Sequence, residues 1–452
     1  MFSRILVANR GEIALRIIRT CKRLGIETVV AYSQADKDAV YLRLADRAIC
    51  IGPPPAKNSY LNTNNLIAAA EISDVEAIHP GYGFLSESAE FAEVCRSCKI
   101  AFIGPPSQAM GVLGDKIKAR QLARGAGVPV VPGSGDGVAT EEEALKMAEE
   151  LGYPVLLKAA AGGGGRGMRV SHNPISLRGN FLQARAEAES AFGDGTLYLE
   201  KYLESIRHVE VQVLADEHGT MVYLGDRDCT VQRRNQKLIE ETPSPALDKR
   251  TRYDMEIAAL RLLKAAKYAN AGTVEFIYDL KTGKHYFMEV NTRLQVEHPV
   301  TEMVTGLDLV EEQIRVASGE KLRWRQKDIQ ERIAAGGHAL ECRLNAEDPQ
   351  RGFAPAPGRI AMYCAPVGRD VRIDTHVYTG YNIPAFYDSL LGKLVVHGRD
   401  RSESIRRMTH ALDELILEGV PTTQGLLKEI LGHAKFVAGQ YDTSFLSSEM
   451  GL

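Results

Sequence analysis

Short β-branched runs alternate with stretches of helical period through the first hundred residues. Ile5-Leu-Val-Ala8 reads as a buried strand. Ile13, Ile17, Cys21 and Leu24 then recur at helical spacing before a second strand, Thr28-Val-Val-Ala31. The pattern continues through Ala77-Ile78 and Ile100-Ala-Phe-Ile103, which predicts a parallel sheet covered by helices. After Gly104-Pro-Pro106 a polar helix over 115–122 leads into Gly125-Ala-Gly-Val-Pro129 and Pro132-Gly-Ser-Gly-Asp-Gly137, turn signals that put a boundary near residue 112. A third region begins near Gly336-Gly337. There, strand-like runs at 359–363 and 394–396 precede a helix with Ile405, Met408, Leu412 and Leu415 on one face. The expected chain is mixed, α/β and α+β, in three units: 1–112, 113–330 with a lid over about 130–203, and 336–446.

The glycine-rich stretch after Pro154-Val-Leu-Leu-Lys158 formally matches G-x-G-x-x-G, but its context is not that of a dinucleotide fold. That fingerprint needs a helix after the glycines, whereas Met168-Arg-Val170 reads as a second strand and Asn173-Pro174 follows at once. Met168 also stands where a Walker A loop requires Lys. What remains is a hairpin whose tip, Gly162 to Gly167, offers many backbone N–H groups to phosphates, or is a plain turn; Lys158 on the strand feeding it favours phosphate.

Thr273-Val-Glu275-Phe-Ile-Tyr278 and His285-Tyr-Phe-Met-Glu289-Val-Asn291 read as paired strands. A three-residue loop, Lys281-Thr282-Gly283, would place Glu275 opposite Glu289. Like charges that close are destabilising unless something positive lies between them, and oxygen ligands point to Mg²⁺ or Mn²⁺. The alternative is an exposed hairpin with solvated acids. Beyond it, Asn291, Arg293, Gln295 and Glu297 alternate with period two, which predicts one shared face with Glu289. His208-Val-Glu-Val-Gln-Val213 alternates likewise, as a strand with a solvated polar face also would. Gln232-Arg-Arg-Asn-Gln-Lys237 adds a short cationic run.

Composition narrows the class. The chain has 452 residues with 55 Lys and Arg against 58 Asp and Glu, a net charge of −3, which argues against coating nucleic acid or an anionic membrane. No apolar run approaches the ~18–20 residues that cross a bilayer, and Arg4 and Arg10 interrupt the start where a signal peptide would be apolar, so a cytoplasmic location is expected. The seven cysteines read as reduced thiols, and Cys95-Arg-Ser-Cys98 lacks the second pair of a zinc site. No H-E-x-x-H or G-x-S-x-G occurs, and His172, His376 and His410 read as structural or exposed.

Several motifs fall in one order: Asn9-Arg-Gly-Glu-Ile-Ala14, His79-Pro-Gly-Tyr-Gly-Phe-Leu-Ser-Glu87, Phe102-Ile-Gly-Pro105, Gly114-Asp-Lys116, Lys158 with its glycines, Arg227-Asp-Cys229, Gln232 to Lys237, Glu289-Val-Asn-Thr-Arg-Leu-Gln-Val-Glu-His-Pro299 and Glu341-Cys-Arg-Leu-Asn-Ala-Glu-Asp348. Together they resemble the biotin carboxylase family of the ATP-grasp superfamily, from Ile5 to about Phe445. The resemblance implies a pre-ATP-grasp domain, an ATP-grasp core with a mobile lid, and a C-terminal domain. It also implies an enzyme that uses ATP, bicarbonate and Mg²⁺ or Mn²⁺, two ions, to carboxylate biotin on a carrier protein. Position by position, it assigns the nucleotide to Lys116, Lys158, Gly162, Gly163, Gly164, Gly165, Gly167, Glu200, Lys201, Leu203, His208, Gln232, Asn235, Glu275, Ile277 and Glu289. Metal falls to Glu275, Glu289 and Asn291. Bicarbonate falls to Lys237, Arg293, Gln295 and Val296, with Glu297 as general base; Lys237 and Arg293 count with Glu297 and Arg343 as catalytic. Tyr82, Gly83, Gln232 and Arg343 are the biotin contacts, with Arg343 steadying the enolate.

The family usually has His at Asn235, and Pro384-Ala-Phe-Tyr387 replaces a Pro-Pro-Tyr-Tyr, which implies altered contacts near Asp388. The stretch over 331–337 looks longer than usual and is expected to be a surface insertion. No Met-Lys-Met attachment motif occurs, so the biotin carboxyl carrier protein and carboxyltransferase are expected on separate chains, and the resemblance suggests a homodimer. The rival readings are another ATP-grasp carboxylate–amine ligase and a non-catalytic regulator.

Overall fold

In the computed structural model, which describes residues 1–134, 137–160 and 168–452, the N-terminal apolar runs form parallel strands. These are β1 (Arg4–Val7), β2 (Glu27–Ser33), β3 (Arg47–Gly52), β4 (Ala77–His79) and β5 (Ala101–Phe102), in the order β3-β2-β1-β4-β5. Helices α1 (Gly11–Arg23), α2 (Val40–Leu44), α3 (Thr63–Ile72) and α4 (Ala89–Ser97) lie between them in the chain. The apolar pattern does not announce β3, because it is an edge strand with Arg47, Ala48 and Cys50 exposed. Cys95 is buried in α4 while Cys98 just beyond it is exposed, and neither belongs to a cluster of potential metal ligands among the described residues.

Two helices follow, α5 (Ser107–Leu113) and α6 (Lys116–Gly125). The Asp115 carboxylate caps α6 by accepting the backbone N–H of Ile117 and Lys118, which fixes Lys116 at its first turn. Next come α7 (Glu141–Leu151), with a Thr140/Glu143 capping box, and α8 (Pro174–Phe192), started by Asn173 with proline at its first position. They pack on a small separate sheet, β7-β6-β8, made of β6 (Val155–Ala159), β7 (Arg169–Ser171) and β8 (Leu197–Lys201). Val155, Leu157, Leu177, Phe181, Leu197 and Leu199 give this segment a core of its own. The strand expected after the glycines is β7; the glycines at 162–165 and 167 lie outside the described residues.

The rest builds one eight-stranded antiparallel sheet. Its strands are β9 (Ile206–Ala215), β10 (Met221–Arg233), β11 (Gln236–Thr242), β12 (Asn270–Asp279), β13 (Lys284–Asn291), β14 (His338–Asn345), β18 (Val371–Thr375) and β19 (Leu390–Gly398). Two short ribbons stand apart, β15 (Glu347–Asp348) with β16 (Ala354–Pro355) and β17 (Met362–Cys364) with β20 (Ile416–Glu418). The order β13-β12-β9-β10-β11-β14-β19-β18 runs straight from the middle region into the C-terminal one, so the third unit adds strands to the central sheet instead of folding a separate one. Helices α9 (Lys249–Ala265), α10 (His298–Thr305), α11 (Leu309–Ala317), α12 (Gln326–Ala335) and α13 (Arg401–Glu414) cover it. The 331–337 stretch is not a loose loop. It ends α12, whose Ile329 is fully buried, and a Cβ at Gly336 would lie 2.2 Å from the Val304 carbonyl oxygen.

The sheet's join is locked by a buried carboxylate. Glu241 on β11 accepts from His338 Nε2 at 2.9 Å, from Arg401 Nε at 2.6 Å and from the Tyr441 hydroxyl. Burial opposes its charge, but His338 and Arg401 hold its pKa down, at about 2. Since the folded value lies below the unfolded one near 4.5, this contribution to stability is present above about pH 4.5 and is lost as pH falls toward 2. Glu241→Gln is expected to cost about 3–5 kcal/mol at neutral pH and to flatten the acid limb of the stability profile, measured by urea unfolding at several pH values.

Candidate active site

Across four neighbouring strands the register sets Glu289, Glu275, Glu210 and Arg227 side by side in one row. Near its turn the β12–β13 hairpin pairs Asp279 with Lys284, which alone would offset the two glutamates by one residue. A bulge between Glu275 and Phe276 restores Glu275 opposite Glu289, the pairing expected, though from a four-residue loop in place of three. Three adjacent carboxylates repel unless cations sit among them. Lys237 supplies the cation: its Nζ donates to Glu210 at 2.7 Å, Glu275 at 3.0 Å and Glu297 at 2.6 Å. Burial disfavours that charge, but Cys229 and the three carboxylates hold the lysine well above its ordinary range. Arg227, fully buried, closes the row by bonding Glu210 at 2.5 Å, Gln212 at 2.7 Å, Thr301 at 3.0 Å and Thr273 at 3.1 Å.

The period-two reading of 289–297 fails as geometry. Strand β13 ends at Asn291, and Glu297 is the residue that opens α10. The polar atoms converge nonetheless. Asn291 Nδ2 and Gln295 Nε2 donate to Glu275 at 2.8 and 3.1 Å, and Arg293 donates to Gln295 Oε1 at 3.0 Å and Asn291 Oδ1 at 3.2 Å. Arg293 also lies 3.1 Å from Glu87. Glu297 is completely buried, with Lys237 on one oxygen and Arg343 Nη2 on the other at 2.9 Å. Burial works against its ionisation, yet Lys237, Arg343 and Arg227 hold its carboxyl well below the usual range. Arg343 is shared with Glu240 at 2.6 Å.

On the other side of the hairpin, Lys116 stands 3.6 Å from Glu289, and Lys158 on β6 stands 2.6 Å from Glu200 on β8. Arg120 pairs with the same Glu200 carboxylate, so that side chain is fully engaged. Burial, with Lys116 and Arg120 nearby, pushes Lys158 down to about 7, against the pull of Glu289. Lys201 turns its ammonium onto the carbonyls of Gly152 and Tyr153, at 2.8 and 3.1 Å. Leu203 and Ile277 are half-buried, and His208, paired across the ladder with Ile277, lies 2.9 Å from Glu275. Asn235 is exposed beside Gln232 and Lys237, at the tip of the β10–β11 hairpin. Arg234 and Asn235 have φ of 48° and 66°, the two-residue turn that suits asparagine. Tyr82 donates to Glu12, and Gly83 joins it in a cavity of about 130 Å³ with Arg10, Asp388 and Leu390. Tyr387, close by, stacks under Arg10 at 4.2 Å and donates to the Pro54 carbonyl at 2.6 Å.

The donor set fits a hard divalent cation: opposed carboxylates on Glu275 and Glu289 with the Asn291 amide adjacent, and Glu289 still partly open to solvent. The tighter groups, His208 with Glu210 and Glu275 and Glu210 with Cys229 and Glu297, surround the Lys237 ammonium and need no metal for balance. Sequence reasoning gave no role to Arg120, Glu210, Arg227 or Glu240. Glu210 and Gln212 sit on the alternating face of β9, which is buried and not solvated: Arg227 bonds both and reaches Thr301 on α10, and Lys237 also bonds Glu210.

A biotin carboxylase of Nostoc sp. is 54% identical to this chain over 445 residues, 98% of each. The chain belongs to the biotin carboxylase family. Three family models match it in succession: biotin carboxylase N-terminal domain at 1–110, carbamoyl-phosphate synthase L chain ATP-binding domain at 115–325, and biotin carboxylase C-terminal domain at 341–448. A Campylobacter jejuni biotin carboxylase solved as a β,γ-ATP complex superposes with a TM-score of 0.95 at 49% identity, covering 99% of both chains. The biotin carboxylase domain of Hydrogenobacter thermophilus 2-oxoglutarate carboxylase, a dimer with MgADP, ADP and bicarbonate, gives 0.94 at 46%, covering 100% of this chain and 98% of that one. The fold is thus the three-domain biotin carboxylase fold, and the activity is that of an ATP-dependent carboxylating ligase, the biotin carboxylase of a biotin-dependent carboxylase.

Proposed function

We propose that the pocket around Glu297 activates bicarbonate with MgATP and passes the carboxyl group to biotin on a carrier protein. The observation that carries this is Glu297 itself, buried and held between Lys237 and Arg343. Lys116 and Lys158 take the polyphosphate, with His208, Gln232 and the segment from Glu200 to Leu203 around the nucleotide. Glu275, Glu289 and Asn291 hold Mg²⁺ or Mn²⁺, which when bound offsets charge on the phosphoryl oxygens. Lys237, Arg293, Gln295 and Val296 seat bicarbonate.

A carboxylate held far below its usual pKa is a weak base. Bicarbonate changes that by drawing Lys237 toward its own negative oxygens, so the proton affinity of Glu297 rises as its substrate arrives. Glu297 takes the bicarbonate proton, the freed oxygen attacks the γ-phosphorus, and ADP leaves. The carboxyphosphate breaks its C–O bond to give CO2 and phosphate, and phosphate takes the N1′ proton of biotin. Arg343, planar and permanently charged, faces the enolate oxygen while N1′ bonds to CO2. Arg343→Lys is therefore expected to keep nucleotide binding while biotin carboxylation falls at least tenfold; an unchanged carboxylation rate removes the enolate role.

The residue ranges 1–112, 113–330 and 336–446 remain our division into domains. The carrier and transferase on other chains, and a homodimer like the Hydrogenobacter domain, belong to the same proposal. ATP hydrolysis measured with and without bicarbonate and biotin tests it. Hydrolysis is expected to require bicarbonate and to rise when biotin is added, and no response to biotin would overturn the reading.

A further inference from the structure

Lys393 is completely buried on β19, outside every role described so far, yet its ammonium touches all three regions of the chain. Nζ donates to the Val296 carbonyl at 2.9 Å, one residue before Glu297. It lies 3.0 Å from Glu12 Oε1 on α1 and 4.0 Å from Asp374 on β18. Glu12 Oε1 also accepts the Tyr82 hydroxyl, and the Lys393 nitrogen stands 5.8 Å from the centre of the Tyr82 ring. The same lysine pairs across the ladder with Arg343. Glu12 belongs to the Asn9-to-Ala14 motif, which the proposed chemistry leaves without a task. Its neighbour Asn9 ties the Pro80 and Tyr82 carbonyls, both at 2.7 Å, so α1 and the 80–83 turn form one unit.

We propose that Lys393 is a positioning residue which, through Glu12 and Val296, holds the biotin-side Tyr82 and the base Glu297 in fixed relation. A buried ammonium between a carboxylate and a backbone carbonyl is a strong, directional tie, and a displacement of about 1 Å at a reacting group costs on the order of 10²-fold in rate. Glu341, the nearby buried carboxyl on β14, makes no hydrogen bond through either oxygen among the described residues, so the bonds of the Lys393 ammonium go to Glu12 and Val296; burial pushes the Glu341 carboxyl up, against the pull of Lys393.

This rests on the proposed biotin role of Tyr82, and the experiment separates the two. In the full-length chain, Glu12→Gln keeps the side chain's shape while removing its charge. It is expected to raise the KM for free biotin about tenfold and to lower the ratio of biotin-stimulated to unstimulated hydrolysis, with MgATP affinity moved less than twofold. Lys393→Met is expected to lower kcat at least tenfold with or without biotin, and the double variant to be no worse than Lys393→Met alone, since both cut the same chain of contacts. Wild-type KM and stimulation in Glu12→Gln, losses that multiply in the double variant, or an equal loss of MgATP affinity would each overturn the inference. If Lys393→Met does not fold, Glu12→Gln decides alone. Absence of biotin stimulation in the wild type instead removes the proposed function.

Discussion

Glu297→Gln is expected to bind MgATP as the parent does and to lose turnover by ~10²-fold or more. Glutamine keeps the volume of a side chain that is fully buried, and the change leaves Lys237 two carboxylates and Arg343 one, so neither cation is stranded. What disappears is the one carboxylate that, among the described residues, bonds both Lys237 and Arg343. Nucleotide binding by equilibrium dialysis together with single-turnover hydrolysis checks this. Retained turnover would take the base role away from Glu297.

The second large effect falls on stability and activity together. Lys237→Met leaves Glu210, Glu275 and Glu297 without the ammonium that all three share within 3.0 Å. Removing one partner from such a buried group costs about 3–5 kcal/mol, because the remaining charges are desolvated and repel. Glu210 and Glu297 keep their arginines, but carboxyls that lose a shared buried cation have raised folded-state pKa values, so the stability deficit should shrink as pH falls and grow as it rises from 6 to 8. Turnover should drop by ~10²-fold or more, since the bicarbonate seat is lost as well. Urea unfolding across that pH range and steady-state hydrolysis read the two effects, and a deficit independent of pH would contradict this account of the row.

Much of this architecture is legible before any coordinates. Apolar periodicity finds β1, β2 and β4, whose residues are largely buried within a parallel sheet, and also the half-buried β5, which keeps an apolar sequence at the opposite edge. It passes over the edge strand β3, whose exposure erases the signal. The expected opposition of Glu275 and Glu289 rests on a three-residue loop that the structure does not have. The real hairpin reaches it through a bulge that no spacing rule announces. Motif order places Lys237, Arg293, Glu297 and Arg343 in one pocket; Lys237 and Arg343 meet on Glu297, and Arg293 is linked to them through Gln295 and Glu275. The alternation that suggests how 289–297 gets there is misleading, since an irregular turn and the start of α10 replace a strand. Glu210, Arg227 and Lys393 stay silent in the sequence because their meaning lies in cross-strand neighbours tens to hundreds of residues away.

The most direct measurement of the central claim follows an oxygen atom. With ¹⁸O-labelled bicarbonate, ATP and biotin, each inorganic phosphate released should carry one oxygen from bicarbonate, because the attacking oxygen stays on phosphorus when carboxyphosphate loses CO2. Phosphate whose new oxygen comes from water would show that bicarbonate is not activated in the Glu297 pocket and would contradict the account.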